Sequence, residues 1–193
     1  MKKTEKGRRL CAALALLLGL ACLSACLFDF CADRRRNARE AKVYDAVLSS
    51  AAAYGVSPAL VLAVVRTESD FFENAVSDAG AMGLMQLMPD TFSYLRDEHF
   101  AESLPDTAVW EPAVNIRYGT YYLAYLYDRF GNWQATLAAY NAGEGRVADW
   151  LCDPTLSPDG KSLTDIPYPE TKAYVAKVLS HYRAYLEKYH FKE

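Results

Sequence analysis

Glu68 stands at the end of SPALVLAVVRTES, where Leu60 to Val65 are apolar without exception. On a helix, that placement pushes the carboxyl pKa up twice over. Desolvation disfavours the charged form, and the negative end of the helix dipole disfavours it again. A carboxyl kept protonated near neutral pH is what a general acid requires. The bland reading is a glutamate that snorkels into water at a helix end and does nothing. The residues C-terminal to Glu68 weigh against it. Gly80 and Gly83 allow close backbone approach. Gln86 places an amide that can both donate and accept inside an otherwise apolar stretch. Met82 and Met88 read as core residues. Asp70, Glu73 and Asp78 lie near Glu68 in sequence, but none sits in a pattern suggesting a second catalytic carboxyl, and Asp70 would point well away on a helix.

Other chemistries find little footing. His99, His181 and His190 are scattered without metal-ligand spacing, and no phosphate-loop, dinucleotide or calcium-loop pattern occurs, so no metal and no cofactor are expected. Four of the five cysteines lie in or beside the head of the chain. Cys152 is alone in the body, within a WLCDP stretch that reads as a loop, and is expected to be a small packed residue rather than a nucleophile or disulfide partner.

The elements that must position Glu68 are helical. Val43, Val47, Ser50 and Tyr54 mark one helix face ending at Gly55. Pro58 opens the next helix, with Ser57 as its N-cap, running to about Glu68. Further helices begin at Pro89, run through Ile116 to Phe130 with a stop at Gly131, and cover Trp133 to Tyr140 before the turn residues Asn141 to Gly143. A Pro-rich loop over 153–169 precedes a terminal helix lined by Val175, Val178, Leu179, Tyr182, Leu186 and Tyr189. No convincing period-two alternation appears, so the fold class is all-α, a helical domain over 42–190.

Charge divides the chain. Residues 1–40 carry nine Lys/Arg against four Asp/Glu, whereas 41–193 carry twelve against twenty. A body this acidic is a poor nucleic-acid binder. The head places a basic start before 19 uncharged residues, Leu10 to Phe28. That length is close to the roughly 20 needed to span a bilayer. Residues 1–31 therefore read as a transmembrane anchor and 32–41 as a basic linker. Alternatively LSAC, Leu23–Cys26, resembles a bacterial lipobox with Cys26 lipidated, or the segment is a cleaved signal. Either tether puts the domain outside the cytoplasmic membrane.

Five ordered blocks carry a family resemblance: Glu68-Ser69-x-Phe71, AVSDAGAMGLMQLMP, WEPAVNIRYGTYYLAYL, AYNAG and IPYPETKAYVAKVL. Together they resemble the lytic transglycosylases with a goose-type-lysozyme-like fold (glycoside hydrolase family 23 type), over roughly residues 42–190. The resemblance implies a lysozyme-like domain that cleaves peptidoglycan glycan strands as a monomer without a cofactor. It makes Glu68 the single acid/base, and Ser77 a serine polarising the site beside it. Gln86, Tyr140 and Asn141 would line the sugar cleft, and Tyr174 would reach back to the carboxyl. Where some members carry a second hydroxyl two positions after that serine, this chain has Ala79. By residue type alone, Ser77 also reads as a turn residue, Asn141 as a helix cap, and the two tyrosines as core aromatics. The product implied is a 1,6-anhydromuramyl end. The competing readings are a hydrolytic muramidase on the same scaffold and a silent glycan-binding module.

Overall fold

The computed structural model describes the backbone of residues 2–192 and the side chains of 20–192. The chain divides into two compact units, Met1–Ala41 and Lys42–Glu193. The first is helical throughout its described backbone, as the leading part of α1 (Lys2–Tyr54). The stretch 32–41, expected as a linker, is thus helix. Leu20, Leu23, Leu27, Phe28 and Phe30 are exposed along it, as is Cys26. Asp33 pairs with Arg36 one turn on at 2.6 Å. Among the described residues no helix is long and apolar enough to cross a membrane. Much of the run from Leu10 to Phe28, the expected anchor, lies outside the residues whose side chains are described.

The second unit is built on α2 (Pro58–Ser69). Val61, Val64, Val65 and Thr67 are only fair helix formers, so propensity does not hold this helix together. Burial does: Ala59 through Val65 are at most 1% exposed. Each large side chain so buried contributes about 1.5–3 kcal/mol. Around α2 come α3 (Pro89–Tyr94), α4 (Pro112–Phe130), α5 (Trp133–Ala142), α6 (Glu144–Cys152) and α7 (Pro169–Tyr189). α7 makes the most extensive packing against α2. A π-helical turn, Leu95–Phe100, and a 3₁₀ turn, Asp106–Trp110, join α3 to α4. They enclose a smaller core of Leu87, Phe92, Leu95, Val109 and Tyr118. Among the described residues the only β pairings are two isolated bridges, Val76 with Met82 and Met82 with Leu87.

Prolines and glycines punctuate this layout as their backbone preferences demand. Pro58, Pro89, Pro112 and Pro169 each open a helix, where a missing N–H costs nothing. Gly131 ends α4 at φ +70°. Asn132 accepts a hydrogen bond from Ala135 N–H and caps α5. Three expectations need correction. Ser57 occupies the N-cap position of α2, but its hydroxyl makes no cap bond and has no partner. Cys152 is the last residue of a helix and is exposed, not packed in a loop. Met88 is 41% exposed rather than core, because it immediately precedes the first turn of α3 at the protein surface.

Candidate active site

The end of α2 sets the first side chain. Asp70 and Phe71 follow in the left-handed region at φ 47° and 64°, a conformation non-glycine residues hold only when their surroundings enforce it. Phe71 is buried to 1% and provides that anchor. The chain therefore turns sharply just beyond Glu68, leaving its carboxyl half-buried at the helix end. Tyr174 on α7 donates its hydroxyl to Glu68 Oε1 at 2.7 Å. Burial raises the Glu68 pKa from 4.5 to about 7, and this outweighs the lowering by the Tyr174 bond and by the charge of Lys177. Thr171, Tyr174 and Lys177 follow at i,i+3 spacing along α7, so that each neighbours the next as the helix turns from buried to exposed. Thr171 donates to Asn141 Oδ1 at 2.8 Å, which ties α7 to the end of α5.

The loop 75–88 is held from several sides. Met82 and Leu87 exchange backbone bonds at 2.9 and 3.0 Å, and Gly83 N–H donates to Ala75 O at 2.9 Å. Gln86, itself at φ 49°, spends both amide hydrogens on Ala75 O and Gly83 O, which leaves its oxygen to accept from a ligand. Ser69 donates to Leu84 O at 2.8 Å, fastening the loop to α2. From α4, Asn115 accepts Met85 N–H at 2.8 Å and donates to Met82 O and Val109 O. Tyr140 on α5 donates to Met85 O at 2.8 Å. Gly83 has φ +76°, and a Cβ there would strike the Asn115 amide. Gly83→Ala is expected to cost about 2–3 kcal/mol of stability by urea unfolding, from strain and overpacking together.

A cavity of about 250 Å³ opens beside this loop, lined by Gln86, Met88, Thr91, Tyr122, Tyr140 and Asn141 among others. Burial, and then the nearby charge of Glu68, push the Tyr140 hydroxyl well above its usual pKa. The same two causes raise Tyr174. Burial lifts Tyr122 to about 12. All three phenols are neutral donors at physiological pH.

The structure thus brings Glu68 and Tyr174 into contact, and Gln86, Tyr140 and Asn141 onto one cavity wall. Ser77 makes its side-chain bond within its own turn, where the hydroxyl accepts Ala81 N–H at 3.0 Å and keeps its own proton. Asn141 lies inside α5, and the cap is Gly143. Sequence reasoning missed Tyr122, Asn115 and Lys177. It also missed Glu144, which follows the cavity residue Gly143. Glu144 Oε2 is buried with no hydrogen-bond partner, and Arg129 stands 3.5 Å from it in a loose ion pair. The groups acting on Glu68 are Tyr174 and Lys177, and neither is a carboxylate.

Residues 45–156 match the transglycosylase SLT domain. The chain belongs to this family. Among its relatives is the soluble lytic murein transglycosylase of Salmonella typhimurium, 40% identical over 136 residues, which are 67% of this chain and 20% of that protein. The membrane-bound lytic murein transglycosylase C of Actinobacillus pleuropneumoniae is 39% identical over 106 residues, 49% of this chain and 28% of that protein. An inactive mutant of the lytic transglycosylase Slt from Pseudomonas aeruginosa superposes with a TM-score of 0.67 at 35% identity, over 77% of this chain and 24% of that one. The 70 kDa soluble lytic transglycosylase from Escherichia coli gives 0.64 at 31% identity, over 75% and 24%. The chain therefore spans about a fifth to just over a quarter of the length of these relatives.

Proposed function

We propose that the protein is a peptidoglycan lytic transglycosylase that uses Glu68 as its single acid/base. The observation that carries this reading is one carboxyl, raised to about 7 by burial and held by Tyr174, beside a cleft of hydroxyl and amide groups. Protonated Glu68 gives its proton to the glycosidic oxygen as the bond to the anomeric carbon breaks. The substrate's own acetamido oxygen supports that carbon. The Glu68 carboxylate then takes the proton of the muramyl 6-hydroxyl, which closes on the anomeric carbon and forms the 1,6-anhydro end. No water is consumed, so no second carboxylate is required. Most glycosidases, by contrast, place two carboxyls about 5–9.5 Å apart. Glu144 is directed to Arg129 and does not serve as that partner.

Gln86, Tyr140 and Asn141 bind the sugars, Tyr174 positions the carboxyl, and Ser77 retains a hydroxyl proton to donate beside it. Residues 42–190 form the catalytic domain, which works as a monomer. Residues 1–31 tether it to the outer face of the cytoplasmic membrane, through the apolar helix or through Cys26. The membrane-bound relative from Actinobacillus supports that placement.

In digests of purified sacculi, soluble fragments are expected without a matching gain in reducing ends, for wild type and for Glu144→Gln alike. A stoichiometric gain would assign the protein to the hydrolases. Tyr174→Phe removes the bond that lowers the Glu68 pKa, so the carboxyl stays protonated to higher pH. The alkaline limb of its rate profile is expected to move up by about half to one unit while the maximal rate falls. An unmoved limb would disconnect Tyr174 from the reacting carboxyl.

A further inference from the structure

A second cavity, of about 840 Å³, lies against the turn between α1 and α2, the C-terminal half of α4 and the start of α5. It shares no lining residue with the cleft. Tyr127 and Trp133 stack face to face at 4.3 Å between ring centroids, which leaves an outer aromatic face of the pair toward the cavity, with Tyr127 36% exposed. Tyr182 adds a third ring, and Asp128 and Lys192 bring opposite charges. Leu48, Ala51, Val56, Pro58 and Ala124 give the cavity an apolar floor, and Ser57 lies among them. Its hydroxyl is buried and partnerless, having declined the helix cap its position offers. A buried hydroxyl without a partner is costly, and turning it toward a ligand hydroxyl in the cavity would relieve that cost.

From this combination we infer that the cavity is a second saccharide-binding site, which holds a peptidoglycan strand away from the bond being cut. The inference rests on the function proposed above. A pyranose ring offers an apolar C–H face for the Tyr127–Trp133 wall and a rim of hydroxyls for Ser57 and Asp128. Lys192 supplies a cation for the carboxylates of the peptide stems. An apolar helix or acyl chain fits less well, because seating it would strip water from Asp128 and Lys192 without repaying either. The volume lies within the usual range for ligand sites, about 300–1,000 Å³. Holding one strand at two places raises the effective concentration of sugar at the cleft with no change in the chemistry.

The test uses the full chain carrying Glu68→Gln, so that bound strands are not cut, and measures cosedimentation with purified sacculi. Adding Tyr127→Ala and Asp128→Ala, both exposed on α4, is expected to weaken retention about tenfold. Lys192→Glu lies beyond the last helix and cannot unfold the domain. It is expected to weaken retention about threefold, more at low salt. With Glu68 intact, the Tyr127→Ala/Asp128→Ala protein should cleave a short soluble glycan tetramer at the wild-type rate. Unchanged retention in both variants would overturn the second site. So would a parallel loss of tetramer cleavage in folded protein, which would make these residues part of the cleft. Failure of the enzymatic reading shows separately, as wild-type protein that releases nothing from sacculi.

Discussion

Glu68→Gln is expected to lower the rate of sacculus cleavage by about a thousandfold or more, since one group would lose both its proton-donating and proton-accepting roles. Gln keeps an oxygen for the Tyr174 hydroxyl, so the bond seen at 2.7 Å survives and the loss is chemical rather than structural. Stability should move the other way. The folded carboxyl titrates near 7 against an ordinary 4.5. Folding therefore favours the protonated form, and Glu68 imposes no charge penalty below pH 4.5. As pH rises from there through about 7, stability is lost, because the unfolded chain ionises this group more easily than the folded one. The wild type should become less stable than Glu68→Gln by about 2–3 kcal/mol at pH 8, with little difference at pH 4. Denaturant melts at the two pH values measure this directly. A variant equally stable relative to wild type at both would mean that the carboxyl is solvated and has an ordinary pKa.

Asn115→Ala is the second large effect, and it falls on stability. Asn115 is 1% exposed and bonds three backbone groups of the cleft's supporting structure: Met85 N–H, Met82 O and Val109 O. Alanine would leave these without their partner and open a void where the amide sat. A loss of about 3–4 kcal/mol is expected, or a fall of about 10 °C in Tm for a domain of this size. Because the loop carrying Gln86 hangs on the same side chain, activity should drop even where the protein remains folded. Asn115→Asp keeps an acceptor for Met85 N–H but turns a buried carboxyl oxygen toward the Met82 and Val109 carbonyls, so a loss at least as large as that of alanine is expected.

These two residues also show what a sequence makes legible. Glu68 stood out because its position combines two local facts, an apolar run and a helix end, and the burial that the apolar run brings is what raises its pKa. The Tyr174 contact could not be derived locally, since it joins residues 106 apart; it came from the resemblance alone. Asn115 was visible only as part of a helix block, because its purpose is set by a loop 30 residues earlier. Helices opened by proline or stopped by glycine were plain, as at Pro58 and Gly131. α6 was not, for Gly145 is a weak helix former and only Val147 and Trp150 are buried in it. Missing that helix led directly to the misreading of Cys152. Ser57 was misjudged for another reason: its residue type suits a cap, but whether the hydroxyl turns inward depends on side-chain packing that the sequence does not display.

The most direct test of a single carboxyl acting without water is digestion of purified sacculi in heavy-oxygen water, with mass spectrometry of the released muropeptides. Products one water lighter than the reducing forms, with no heavy oxygen at the muramyl anomeric carbon, are the expected result. One heavy oxygen at that carbon would contradict the account, because it would mean that water attacks there and that a second group, such as Glu144, activates it.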